Sequence, residues 1–191
     1  MRALLLLSGL ALAFLAPAVR ADEIQTAIQH LVAEPVHSFQ TVEIDPAKHL
    51  RWAAWDEAAG PGPSAGLAVF RGTTEVWSKT ISDSSEPTLR VLPDWHWNNQ
   101  SIIAVTLRQG ADAVNVTLYG LDATGQPVNL GGHTGSDSGW FIDPRSHLLL
   151  VLYDNKHPPK VIPYCYEWDA TSAKLAGAPC HISEPAISSG H

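Results

Sequence analysis

The sequence predicts an all-β protein: three four-stranded antiparallel sheets in tandem behind a short N-terminal helix. A long internal repeat, runs of β-branched and aromatic residues, and a high density of turn residues all point that way. Fourteen Gly, 14 Pro and seven Trp among 191 residues suit short strands and many turns rather than long helices. With 45% hydrophobic and 16% charged residues, the chain can build a packed core and is not a disordered acidic segment.

Residues 1–21 read as a cleavable export leader. Met1-Arg2 precedes an apolar run from Ala3 to Leu15, then Pro17 and the small-residue exit Val19-Arg20-Ala21. This is the order of charged, apolar and cleavable regions in a secretory signal peptide, with cleavage expected after Ala21. No later apolar run reaches the 18 or so residues of a membrane span. A periplasmic or secreted location follows, with no membrane partner. Removing the leader takes Arg2 and Arg20, leaving 10 Lys and Arg against 19 Asp and Glu. That balance argues against nucleic acid as a partner and in favour of a cationic one.

After the leader, Ile24, Ile28, Leu31 and Val32 fall at i, i+4, i+7 and i+8. This predicts one short amphipathic helix, ended by Pro35. The repeat begins just beyond it. Ile44-Asp45-Pro46-Ala47-Lys48-His49-Leu50, running on to Trp55-Asp56, recurs as Ile142-Asp143-Pro144-Arg145-Ser146-His147-Leu148, running on to Tyr153-Asp154. A weaker middle copy lies around Trp97 to Val105. Leu121-Asp122-Ala123-Thr124 returns as Trp168-Asp169-Ala170-Thr171, with Phe70-Arg71-Gly72-Thr73 at the matching place in the first unit.

Three units of four strands result, at 38–44, 49–56, 65–71 and 74–81; at 88–96, 102–108, 113–121 and 127–131; and at 138–142, 147–153, 160–168 and 173–177. β-Branched and aromatic residues fill these runs, and turn residues separate them. Leu148 to Leu152 is continuously apolar, as in a strand buried on both faces. The expected organisation is a leader (1–21), a helix and linker (22–37), a three-unit β domain (38–178, in units 38–81, 88–131 and 138–178) and a tail (179–191). The two cysteines, Cys165 and Cys180, are expected to pair in an oxidising compartment. Such a bond closes a loop of about 15 residues and is worth about 3 kcal/mol.

Four antiparallel strands in 45–50 residues resemble a blade of a β-propeller, over most of the chain after the leader. Three blades fall short of a closed ring, so the resemblance implies an open, partial propeller; a β-sandwich is the alternative arrangement of the same strands. In leader, size, cysteine pair and repeat count, the chain resembles the partial-propeller periplasmic immunity proteins that neutralise cell-wall-cleaving effectors of bacterial type VI secretion. That resemblance implies a non-catalytic inhibitor that inserts a loop into the effector's active site.

The repeat also separates scaffold from candidate sites. Asp45-Pro46 and Asp143-Pro144 suit turn positions i and i+1; with His49, His147, Asp56 and Asp154 they recur, and are expected to serve each unit's own fold. Features present once are better functional candidates. In Asp94-Trp95-His96-Trp97, alternation sends both Trp to one face and His96 to the other. The segment from Gly131 to Gly139 holds four Gly and five small polar or titratable residues, which predicts a free loop between the second and third units. That loop, the 82–87 connection and the 57–64 and 155–159 loops are expected on one rim, where repeat folds commonly bind. The expected partner-binding residues are His133, Thr134, Ser136, Asp137, Ser138, Asp83, Glu86, Lys156 and His157, with Ser136 and Ser138 at the tips of an inserting loop.

No P-loop, Ser-x-x-Lys, His-Glu-x-x-His, Cys-x-x-Cys or EF-hand pattern occurs. Gly135-Ser136-Asp137-Ser138-Gly139 has the frame of a nucleophile elbow with Asp at its centre. No catalytic residue, cofactor or metal is therefore assigned, and the expected partner is another protein. Two further readings stand beside it: a small-ligand or metal-binding protein using His96, His133 and His157, and a homodimer whose two halves close a ring. Asn99-Gln100-Ser101 and Asn115-Val116-Thr117 match the glycosylation sequon, which has no meaning in a bacterial host.

Overall fold

The computed structural model describes residues 16–32, 35–57, 62–110, 113–136, 139–142, 147–154 and 160–179. The helix α1, Ala16–Leu31, leads into a first sheet of β1 (Val36–Asp45), β2 (Leu50–Glu57), β3 (Ser64–Arg71) and β4 (Thr74–Ser82). The second sheet holds β5 (Ser84–Trp97), β6 (Gln100–Gln109), β7 (Ala113–Leu121) and β8 (Pro127–Ser136). The third holds β9 (Gly139–Ile142), β10 (His147–Asp154), β11 (Lys160–Asp169) and β12 (Lys174–Ala178). In each sheet the spatial order of the strands is their order in the chain, and all pairings are antiparallel. The sheets remain separate and close into neither a barrel nor a propeller ring.

Alternation along the strands explains how the layers meet. In β6, Ile103, Val105 and Leu107 pack against Leu50, Trp52, Ala54, Leu67 and Val69 of sheet 1. Their neighbours Ile102 and Ala104 face the other way, into a cluster with Leu92, Trp95, Val116, Leu118 and Leu130 that sheet 3 covers with Tyr166, Trp168 and Leu175. Sheet 2 is thus the buried middle layer. The far face of sheet 1, Ala53, Trp55, Ala68 and Phe70, is covered by Ile24 and Ile28 of α1, both at most 1% exposed. The order is helix, sheet 1, sheet 2, sheet 3: three stacked sheets rather than the two of a sandwich.

Strand boundaries match the expected ones closely, with two corrections. Residues 82–87 were expected as a loop, yet a single residue, Asp83, separates β4 from β5. Glu86 and Pro87 form a bulge inside β5, between the pairs Ser85–Arg108 and Thr88–Thr106. The bulge holds because Glu86, at φ 51°, donates its backbone N–H to Asp56 Oδ1 at 2.7 Å.

The second correction concerns the glycine-rich segment. It is not a free loop up to Ser136, since β8 runs through that residue and pairs with β7 from Leu121 back to Ala113. Glycine is used here for close approach rather than freedom. A Cβ on Gly132 would sit 2.5 Å from the Val116 carbonyl oxygen. Gly131, at φ +119°, closes a bulge whose N–H bonds Asn129 Oδ1 at 2.8 Å.

Candidate functional site

The repeated polar residues turn inward on the backbone. Asp45 accepts the Lys48 N–H at 3.2 Å and caps a one-turn 3-10 helix, Pro46–Lys48, that His49 ends in the left-handed region. Hydrogen bonding from Lys48 holds the Asp45 carboxyl below its usual range. Asp122 accepts from Thr124 N at 2.8 Å, Gln126 N at 2.9 Å and Thr124 Oγ1 at 2.6 Å. Asp169 does the same for Thr171 N at 2.8 Å and Ser172 Oγ at 2.6 Å. Both carboxyls are lowered by these bonds, from Thr124 first at Asp122 and from Ser172 first at Asp169. Asp143, His147 and Asp154 have no described side chain.

The expected rim has a basis in the register. Glu57 pairs with Ser64 and Ser64 with Ser82 at one end of sheet 1; Ser84, Gln109, Ala113 and Ser136 line up at one end of sheet 2. Asp83 joins the two ends. Glu86 pairs with Arg108 Nε at 3.2 Å, an exposed contact of small energetic weight. Thr134 is tied down on the side of sheet 2 that faces sheet 1: Asn115 Nδ2 donates to Thr134 Oγ1 at 2.7 Å, and Thr117 Oγ1 donates to Asn115 Oδ1 at 2.6 Å. Ser136 is the last residue of β8. Asp137, Ser138, Lys156, His157 and Cys180 lie outside the described residues; Cys165 lies in β11, opposite Ala178.

His133 is the expected site residue with the most developed surroundings. It pairs with Val116, on the side of sheet 2 that faces sheet 3. Its Nδ1 is hydrogen bonded to Tyr166 Oη at 2.8 Å. The imidazole also lies 5.4 Å from the Tyr166 ring and 5.5 Å from the Tyr164 ring, centroid to centroid. Burial, and then the neighbouring Tyr164, raises the Tyr166 hydroxyl above its ordinary value. Tyr164 is 40% exposed, and among the described residues no other large hydrophobic residue is exposed.

The two tyrosines were not among the expected site residues. Their signal was Tyr164-x-Tyr166-x-Trp168, three aromatic residues with period two, which puts all three on one face of a strand.

His96 is exposed while Trp95 and Trp97 join the core, as alternation predicts. Its carbonyl accepts the Trp168 Nε1–H at 3.2 Å. His96 pairs with Ser101, whereas His133 lies in the row of Thr106. That difference along β6 is about 17 Å, so the two imidazoles do not share a site. Among the described residues no three His, Cys, Asp or Glu side chains come together as a metal site. A cleft lined by Glu23, Ile24, His49, Arg51, Gly72 and Thr73 opens beside α1; its Arg51 is paired with Glu43 at 3.3 Å. No protein-family model, curated protein or solved structure matches the chain.

Proposed function

We propose that the chain is an exported, non-catalytic protein-binding module that inhibits a cationic secreted enzyme by docking at the junction of sheets 2 and 3. The observation that carries this reading is Tyr164, exposed beside His133 and, among the described residues, the one exposed large hydrophobic side chain. Tyrosine is enriched among residues that dominate binding energy, because it offers a large, rigid surface with a polar tip. The surplus of carboxylates in the mature chain favours fast association with a basic partner.

Three antiparallel meanders stacked in chain order support reading them as blades of an open propeller. The resemblance to periplasmic immunity proteins rests on leader, size, cysteine pair and repeat count. The inserting element is narrower than the expected loop, since His133 and Thr134 belong to a strand. Asp137 and Ser138 form the link to β9, with Ser136 at its base. Export through the leader and a Cys165–Cys180 bond complete the proposal.

The test is capture of a secreted hydrolase by residues 22–191, starting with the product of the neighbouring reading frame if it is one, and inhibition of that hydrolase. Inhibition that falls at least 10-fold in Tyr164→Ala, with unchanged thermal unfolding, supports the reading. An uninhibited hydrolase, or full potency in Tyr164→Ala, overturns it.

A further inference from the structure

Three elements meet at one end of sheet 1. The turn after β1 finishes at His49, at φ 52°, and the turn between β3 and β4 passes through Gly72, at φ +63°. The Gly72 N–H donates to the His49 carbonyl at 2.9 Å, which ties the two turns together. Glu23 and Ile24 of α1 form the remaining wall, with Ile24 only 1% exposed. The cleft between them measures about 150 Å³, below the roughly 300–1,000 Å³ of sites for drug-sized molecules. A Cβ on Gly72 would meet no atom within 4 Å, so that wall has room beside it.

Two charges face this space. Arg51 pairs with Glu43 on one side and Phe70 on the other, and its side chain is 10% exposed. A guanidinium buried that deeply needs acceptors for its donors. Among the described residues its one ion pair is with Glu43, through Nη2 at 3.3 Å. Much of the planar fork is left for a second acceptor. Glu23, on the α1 wall, is exposed and has no ion pair among the described residues.

We infer that this cleft is a binding site for a small zwitterion, an α-amino acid with a short side chain. Its carboxylate meets the open side of the Arg51 fork, a planar match, and its ammonium faces Glu23. Charge selects the zwitterion over a bare anion. Glu43 already balances Arg51, so a lone carboxylate adds to the uncompensated charge of Glu23. A lone cation answers Glu23 but leaves the buried fork short of an acceptor, which is costly. The volume limits the ligand's side chain, and Ile24 offers it an apolar contact. Walls held by the His49–Gly72 bond are formed in advance, so binding orders little. The site is independent of the proposed partner site, which lies beyond sheets 1 and 2 at the junction with sheet 3.

The test is a titration of residues 22–191 with glycine, L-alanine and D-alanine, followed by amide chemical shifts. Saturable shifts at Gly72 and Thr73 are expected for at least one of them, at a Kd of about 0.1–10 mM. Acetate and methylamine are expected to bind at least 10-fold more weakly. Glu23→Gln should weaken amino-acid binding at least 10-fold, and Thr73→Trp, which fills the mouth of the cleft, should abolish it. Both side chains are exposed, so unchanged thermal unfolding separates a lost site from a lost fold. Absence of saturable shifts at Gly72 and Thr73 with all three amino acids overturns the inference. So does acetate binding as tightly as alanine, or amino-acid binding that survives both variants.

Discussion

The junction of sheets 1 and 2 and the junction of sheets 2 and 3 hold the same kind of sheet by different means. Between sheets 1 and 2 lies a cluster of ten residues, none more than 4% exposed. At its centre Trp52 lies 5.9 Å from the Trp77 ring and 5.2 Å from the Tyr119 ring. Polar ties frame it: Arg71 Nη2 donates to the Thr124 carbonyl at 3.1 Å, Gln126 Nε2 to the Val76 carbonyl at 2.8 Å, and Leu89 N to Gln40 Oε1 at 3.2 Å. Sheet 3 instead brings half-buried rings to sheet 2. Trp168 stacks on Trp95 at 6.4 Å, and Tyr166 bonds His133. Among the described residues, large fully buried side chains of both sheets meet at the first junction, while those of sheet 3 that reach sheet 2 are half-buried. Sheet 3 is therefore the unit expected to open first, and the junction that opens is the one that carries the proposed partner site.

The largest expected effect tests the strong junction. Trp52→Ala empties the centre of the first cluster and is expected to cost about 3–5 kcal/mol. Its Nε1 is buried without a partner among the described residues, so Trp52→Phe removes an unsatisfied donor and costs less. Chemical denaturation of both variants checks the order; equal losses would mean that the cluster does not depend on ring volume.

Next comes the cysteine pair. Cys165→Ala is expected to cost about 3 kcal/mol and to speed amide exchange in β11 and β12 while leaving β2 and β3 protected. Loss of protection throughout the chain would abolish the contrast between the junctions.

Tyr166→Phe is expected to cost about 1 kcal/mol, read as faster exchange confined to sheet 3. The alkaline limb should show the same locality. Burial raises Tyr166 above its ordinary value of 10.0, so its contribution is full below that value and fades as pH rises through the folded value. Tyr119, raised by burial in the first junction, fades in the same direction. Titration by phenolate absorbance should find both above free tyrosine, with Tyr166 removed from the curve by Tyr166→Phe.

The smallest effect belongs to the twin turns. Asp122 and Asp169 are held below the ordinary carboxylate value of 3.8, so each contributes stability above that value and loses it as pH falls through the folded value. Asp122→Asn should flatten the acid limb of exchange in β7 and β8, and Asp169→Asn that in β11 and β12. Interchanged effects would refute the assignment.

Much of the fold was legible because turn residues and strand residues are chemically distinct here. The expected run 65–71 is Ser64–Arg71, and 160–168 is Lys160–Asp169. Recurrence marked Asp45 and Asp56 as scaffold, and both side chains accept backbone N–H groups, from Lys48 and from Glu86. What failed is instructive. The run Gly131-Gly132-His133-Thr134-Gly135 reads locally as a flexible link, because the close approach of Gly132 to the Val116 carbonyl is a tertiary fact. Glu86-Pro87 reads as a break in a strand, because the carboxylate that holds the bulge comes from Asp56, 30 positions away. Tyr164 was legible as a strand residue but not as an exposed one, since its exposure is set by how sheets 2 and 3 pack.

The single-residue link at Asp83 limits how two copies can associate. With one residue between β4 and β5, the ends of the first two sheets are tethered within about 7 Å. Swapping an element between copies needs a hinge long enough to span two molecules, and this tether is too short to pass the first sheet to a neighbour. Sheets 1 and 2 of one copy are therefore expected to stay together in any assembly, because their connection is too short to be drawn out between two molecules.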